Sequence, residues 1–240
     1  MIGSTLRYVE KNIKLRIVRS HREIRDQDLN IILGVEGGHI FDTTYHQIVA
    51  LYGLGVRVFT VTWNNSNRLA HSAFDGDKKG LTKLGREYVR KLSRWDVILD
   101  MSHASTRTVL DVCELCESNV IASHSCVRAL NPSFLRNIDD RAIRAIYERG
   151  GVVGVNISKY HLGKHKVVDH IDHLSERFGV ACAAIGTDFD GIGDPVIPGP
   201  LGLARIEREL LRKGYRNTEV NRIFSGNFLR VFRKGVMRRA

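Results

Sequence analysis

Cysteine, proline and long apolar runs are all scarce in this chain of 240 residues, and each scarcity excludes something. The four cysteines, Cys113, Cys116, Cys126 and Cys182, suggest no disulfide framework, which fits a reducing compartment. Cys113 and Cys116 form a C-x-x-C, but no second C-x-x-C follows. Both lie in Thr106–Cys116, a stretch with helical apolar spacing, so they read as buried thiols rather than zinc ligands. No Pro/Ser-rich linker divides the chain, and residues 1–240 read as one domain. No apolar run is long enough to span a bilayer. The N-terminal Met1-Ile2-Gly3-Ser4-Thr5-Leu6-Arg7 lacks the apolar core of a signal peptide, and the expected location is the cytoplasm.

Charge of one sign is in excess. The formal net charge is +11, which raises the question of nucleic acid or an anionic membrane as partner. The basic residues are spread along the chain, however, apart from a tail near Arg230, Arg233, Lys234, Arg238 and Arg239. There is no zinc-finger spacing and no aromatic-basic RNA signature, so nucleic-acid binding is not expected.

What is present is an alternation of strand and helix patterns. Short β-rich runs occur at Ile31–Val35, Val56–Thr62, Asp96–Met101, Asn119–Ser123, Val152–Asn156 and Ala181–Thr187. They are nearly continuous in apolar character, as in parallel strands buried on both faces. Helical spacing fills the gaps at Tyr45–Tyr52, Thr82–Trp95, Ser105–Cys116, Asp139–Arg149 and Val167–Phe178. Leu203–Lys213 and Thr218–Phe224 close the chain, with Gly214 and Gly226 as helix stops. Alternation of this kind means an α/β fold. Metal-ligand residue types at the ends of several different strands favour a TIM-like (β/α)8 barrel over an open doubly wound sheet. Six strands are visible where closure needs eight, so about two are expected to be lacking at the N-terminal side.

Four segments end a strand and then present a polar side chain: Glu36 before Gly37-Gly38-His39, His103 after Asp100-Met101-Ser102, His124 after Ser123, and Asp188 in Gly186-Thr187-Asp188-Phe189-Asp190-Gly191. Paired glycines after Glu36 allow a tight turn and close approach to a ligand. Two histidines at equivalent positions after successive strands are aimed at one opening, and neutral imidazoles suit zinc. Asp188 is suited to a metal ligand or a general base, and Asp190 to a structural role. Arg136, in a loop past the His124 strand, reads alone as solvated; beside a metal site a guanidinium suits bidentate capture of a carboxylate. His161, His165, His170 and His173 form a His-rich stretch for which metal binding is one reading and an exposed helix face the simpler one. No His-x-Asp pair lies on an early strand.

Taken in order, these segments resemble the membrane dipeptidase (renal dipeptidase) family of zinc metallopeptidases. Gly55-Val56-Arg57, Gly80-Leu81-Thr82, Arg136-Asn137 and Gly226-Asn227-Phe228-Leu229-Arg230 extend the resemblance from about Ile31 to Arg230. It implies a (β/α)8 barrel with two zinc ions that hydrolyses dipeptides. Glu36 would bridge both metals, His103 and His124 would hold one, and Asp188 would serve the other and help activate water. Arg136 would bind the carboxylate of the dipeptide, with Asn137 and Trp63 also at the substrate. The chain departs from the family at the missing His-x-Asp strand and at Trp63, where many relatives have histidine. An N-terminally truncated barrel would leave unpaired edges at Ile31–Val35 and Ala181–Thr187, so a homo-oligomer or a partner completing the barrel is expected. At most one zinc site would be complete. The alternatives are a non-catalytic, metal-binding or scaffold relative, and a barrel amidohydrolase acting on a cyclic amide or ester.

Overall fold

The apolar runs become strands and the amphipathic stretches become helices that cover them. The computed structural model describes residues 11, 14–41, 45–117 and 119–236; Met1 to Arg7 and the Arg238-Arg239 pair lie outside these. In chain order the elements are β1 (Leu15–Ile17), β2 (Leu29–Ile31), β3 (Leu33–Glu36), α1 (Tyr45–Gly53), β4 (Val56–Thr60) and α2 (Lys83–Leu92). There follow β5 (Ile98–Asp100), α3 (Thr106–Leu115), β6 (Val120–Ser125), α4 (Asp140–Glu148), β7 (Val153–Val155), α5 (Lys159–Leu162) and α6 (Val167–Phe178). The chain continues through β8 (Ala183–Ile185), α7 (Leu203–Arg212), α8 (Asn217–Asn221), a π turn (Arg222–Gly226) and α9 (Asn227–Val236).

Strands β3 to β8 form one parallel sheet in sequential order. Among the described residues no strand joins β8 back to β3, so the barrel stands open with these two as its edges. They coincide with the edges expected at Ile31–Val35 and Ala181–Thr187.

Alternation along each strand sorts the sheet into two faces. Phe59, Leu99, Met101, Val120, Ala122, Val153, Val155 and Ala183 pack with the helix residues Val109, Ile143, Ile146 and Leu174. The other face carries Val58, Ile98, Ile121, Val152 and Ala184, packed with Val18 and with Phe228, Val231 and Phe232 of α9. On this second face Ile98 precedes Asp100 and Ile121 precedes Ser123 by two residues. The face is therefore apolar toward the N-terminal ends of the strands, where α9 covers it, and polar toward their C-terminal ends.

Three parts of the chain differ from the sequence expectation. Strands β1 and β2, a separate parallel pair, carry no continuous apolar run, because Arg16 and Asn30 sit at their centres. Gly226 does not stop a helix: the π turn passes through it into α9. Asn227 holds this junction, since its side-chain amide donates to the carbonyls of Val180 (2.7 Å) and Ala183 (2.8 Å). The His-rich stretch is not an exposed face. His170 is fully buried and accepts from the Val127 amide at 3.1 Å, His161 is buried, and His173 pairs with Asp140 at 2.9 Å. The cysteines are free and buried, as expected, with burial raising the Cys113 and Cys116 thiols to about 12. Among the described residues no helix is long and apolar enough to cross a membrane.

Asn227→Ala leaves two carbonyls of the β8 approach without their donor and removes the pin of α9. A loss of roughly 1–3 kcal/mol in unfolding free energy is expected from urea denaturation. An unchanged midpoint would contradict the pinning role.

Candidate metal centre

The C-terminal ends of β3, β5 and β6 bring three ligating side chains together. Glu36 is the last residue of β3. Beyond it the ladder to β4 continues, because the Gly37 and Gly38 amides donate to the Thr60 (3.2 Å) and Val61 (3.1 Å) carbonyls. A Cβ at position 38 would lie 2.3 Å from the Val61 oxygen, so only glycine permits this approach. Glu36 Oε1 then lies 3.0 Å from His103 Nε2 and 3.2 Å from His124 Nε2, with the two nitrogens 3.1 Å apart. His103 sits in the left-handed region at φ 68°, a conformation that costs a non-glycine residue energy and turns its ring into the opening.

The protonation pattern follows from the partners. His103 Nδ1 faces Asn64 Oδ1 at 2.9 Å, and an amide oxygen only accepts, so Nδ1 carries the proton. Ser123 Oγ donates to Asp100 Oδ2 at 2.6 Å and so accepts from His124 Nδ1, 2.8 Å away. Both rings therefore turn an unprotonated Nε2 toward Glu36. With a proton shared at the Nε2 atoms, hydrogen bonds from His103 and then His124 hold the Glu36 carboxyl far below the usual range, against the effect of burial. Burial pushes His103 down to about 4, so it is neutral. Two lone pairs and a carboxylate oxygen in mutual contact require a cation between them. A proton suffices in the bare chain. The donor set, with all three ligating atoms within 4.8 Å of one another, fits a divalent metal of the zinc type.

Asp100 organises this arrangement from beneath. Its Oδ1 accepts from Ser102 N (3.0 Å), Ser102 Oγ (2.9 Å) and Ser123 N (2.8 Å). Its Oδ2 accepts from Ser123 Oγ and from Thr60 Oγ1 (2.9 Å). Burial would raise its pKa; His124 and the Ser123 and Ser102 bonds outweigh that and keep it ionised. Ser102 Oγ in turn accepts from the His124 amide at 3.0 Å.

A cavity of about 250 Å³ opens beside the cluster, lined among others by Glu36, Trp63, His103, Arg136, His161 and Asp188. Arg136 is not solvated, as it reads when taken alone. It is 3% exposed and donates to Ser125 Oγ (2.8 Å) and the His124 carbonyl (3.0 Å), while Nε has no partner. Burial lowers it to about 10, still cationic at neutral pH, and among the described residues no carboxylate pairs with it. Asp188 lies outside the three-residue cluster, at φ 53°, with Oδ2 accepting from Asn156 Nδ2 at 3.2 Å. A Cβ at position 191 would fall 2.3 Å from its Oδ1, so Gly191 makes room for this carboxylate. Burial raises its pKa. Trp63 is an exposed wall, its ring 6.4 Å from that of His103. Asn137 does not line the cavity; it is fully buried and donates to the His161 carbonyl at 2.8 Å. Asp190 is exposed.

Sequence reasoning gave no role to Asn64, Asp100, Ser123, Asn156 or His161. Asp100 and Ser123 lie inside the strand-end motifs, and an aspartate ending an apolar strand is the available signal for Asp100. His161, buried with both ring nitrogens unpartnered, offered none.

Asp100→Asn keeps the shape but replaces one of the two accepting oxygens with an amide donor. Zinc affinity, measured by competition with a chelating dye, is expected to fall about ten- to a hundredfold, as for other groups that orient metal-bound histidines. Unchanged affinity would contradict the hub role.

The sequence profile of the membrane dipeptidase family (peptidase family M19) matches residues 2–239. Dipeptidase 3 of Mus musculus is 34% identical over 226 residues, which cover 87% of this chain and 45% of that protein. Dipeptidase 3 of Homo sapiens is 32% identical over 227 residues, with the same coverage. The chain thus spans about half the length of the curated relatives it matches. The solved structure of dipeptidase AC, a metallo peptidase of family M19, superposes with a TM-score of 0.90 at 26% identity, over 98% of this chain and 75% of that one. A metallo peptidase from Rhodobacter sphaeroides, liganded with a phosphinate mimic of the dipeptide L-Ala-D-Ala, gives 0.88 at 26% identity, over 96% and 72%. With a profile match running almost end to end and a shared parallel sheet beneath the metal-ligand cluster, this chain belongs to the membrane dipeptidase family.

Proposed function

We propose that this chain binds zinc through Glu36, His103 and His124 and acts on dipeptides as a metallopeptidase. The observation that carries the reading is the pairing, in one cavity, of a cation-demanding donor set with a buried arginine that has no carboxylate partner among the described residues. The dipeptide mimic held by the Rhodobacter sphaeroides relative supports the substrate class. A cavity of about 250 Å³ lies below the usual range for drug-sized ligands, which suits a substrate of two residues.

A bound zinc supplies Lewis acidity toward the peptide carbonyl and acidifies water. The chain's own residues do the rest. Arg136 takes the terminal carboxylate of the dipeptide and fixes the register of the scissile bond against the cluster. Asn156 holds Asp188 by Oδ2, leaving Oδ1 to take a proton from the attacking water and pass it to the leaving amine. The raised pKa of Asp188 brings it nearer the neutral range, where such transfer is efficient. Trp63, Phe74 and Phe134 wall the cavity and limit water entry.

A second reading is a metal-binding relative without turnover. It is favoured by the single three-donor cluster among the described residues, which leaves Asp188 outside and yields one metal per chain rather than two. Under either reading the open edges β3 and β8 are covered by a further copy of this chain or by another polypeptide.

Metal content and hydrolysis of L-Ala-D-Ala, followed before and after added zinc, separate the readings. The expected result is one zinc per chain, with hydrolysis that chelation abolishes and zinc restores. Zinc bound without hydrolysis selects the second reading, and no bound zinc overturns both. Arg136→Ala is expected to lower kcat/KM by about ten- to a hundredfold, the worth of a charge-assisted hydrogen bond. Light scattering is expected to report an oligomer; a monodisperse monomer with a cooperative melt would count against covered edges.

A further inference from the structure

The loop that carries Arg136 is held by another arginine. Arg128 Nε donates to the Asn137 carbonyl at 2.8 Å and Nη2 to the Leu135 carbonyl at 2.7 Å, the residues on either side of Arg136. The backbone closes the loop at its base, where Arg128 N donates to Ile138 O and Ile138 N to Cys126 O, both at 2.9 Å. One guanidinium therefore spans the loop from inside and fixes the peptide planes that set the direction of the Arg136 side chain.

Arg128 is itself anchored. Its Nη1 pairs with Asp77 Oδ2, and Asp77 Oδ1 accepts from the Thr106 amide at 3.0 Å, at the first residue of α3. That helix begins three residues after His103. Asp77 sits just past Phe74, and the Phe74 and Phe134 rings meet edge to face at 6.1 Å on the cavity wall. The Asp77–Arg128 pair thus joins two loops over the cavity and ties both to the helix that follows a metal-ligand histidine. Its side chains are 26% and 14% exposed, which limits screening by solvent.

We propose that Asp77 and Arg128 are positioning residues for carboxylate recognition: they hold Arg136 in the orientation that binds the free C-terminal carboxylate of the substrate. This rests on the reading of Arg136 as the carboxylate-binding group. Lysine at 128 would keep the charge facing Asp77 but would lose the planar fork that reaches both carbonyls and the carboxylate at once.

The test is calorimetric binding to the zinc-loaded full chain of two ligands, the phosphinate mimic of L-Ala-D-Ala and its C-terminal amide. The parent chain is expected to prefer the free carboxylate by roughly ten- to a hundredfold. R128A, R128K and D77N are each expected to lose about tenfold or more of affinity for the carboxylate form, with the amide form and zinc affinity unchanged. Circular dichroism identifies any variant that fails to fold; the milder R128K and D77N then carry the comparison. Full binding of the carboxylate form by folded R128A would overturn the proposal. So would rescue by R128K, which would reduce the pair to simple charge, or equal losses for both ligands, which would mean general damage. A parent chain that does not distinguish the two ligands would instead overturn the role of Arg136, and the positioning role with it.

Discussion

A single buried carboxylate is the constraint on which the site depends. Asp100 lies at the end of the central strand β5, shut off from solvent and ionised, and every hydrogen bond its carboxylate accepts comes from a neighbour of a residue of the donor set. Ser102 precedes His103, Ser123 precedes His124, and Thr60 lies beside Glu36 in the β3–β4 ladder. A buried charge left alone would be destabilising by several kcal/mol. The fold satisfies it with backbone and hydroxyl donors from three strands, and that same satisfaction fixes which nitrogen of His124 carries a proton. Asn64 does the equivalent for His103 from the loop after β4. The geometry of the donor set is thus a consequence of burying one aspartate.

The sheet separates stability from chemistry along the length of each strand. Toward the N-terminal ends, Ile98, Ile121 and Val152 lie under α9 in a dry layer. Two residues further on, the same face carries Asp100 and Ser123, and the cavity begins. Because strand side chains repeat every two residues, one strand supplies both a core residue and a site residue on one face. Arg136 is tied to the same place: its guanidinium donates to the His124 carbonyl, so the buried arginine and a histidine of the donor set are fixed to one stretch of β6.

Much of this was legible in the sequence. The six apolar runs mark the parallel strands, because strands buried on both faces leave a strong compositional signal, and a barrel short of two strands places the open edges at the first and last of them. The spacing bounds the helix Val167–Phe178, and positions after strands group Glu36, His103, His124 and Asp188, of which the structure gathers the first three into one cluster. The illegible parts share a cause: they depend on contacts distant in sequence. Short strands β1 and β2 exist by pairing with each other. Gly226 reads as a stop, yet packing of Phe228 and Phe232 carries the helix through it. Asn137, next to Arg136 in sequence, turns inward to the His161 carbonyl instead of lining the cavity. Asp100 stood in plain view as part of a motif, but only the fold reveals how many donors converge on it.

The most direct test of the account is X-ray absorption spectroscopy at the zinc edge on the metal-loaded chain. The account predicts a first shell of two imidazole nitrogens at about 2.0–2.1 Å with only oxygen otherwise, from a carboxylate and water. A shell containing sulfur, at about 2.3 Å, or one with more than two imidazoles, would place the metal elsewhere and contradict it.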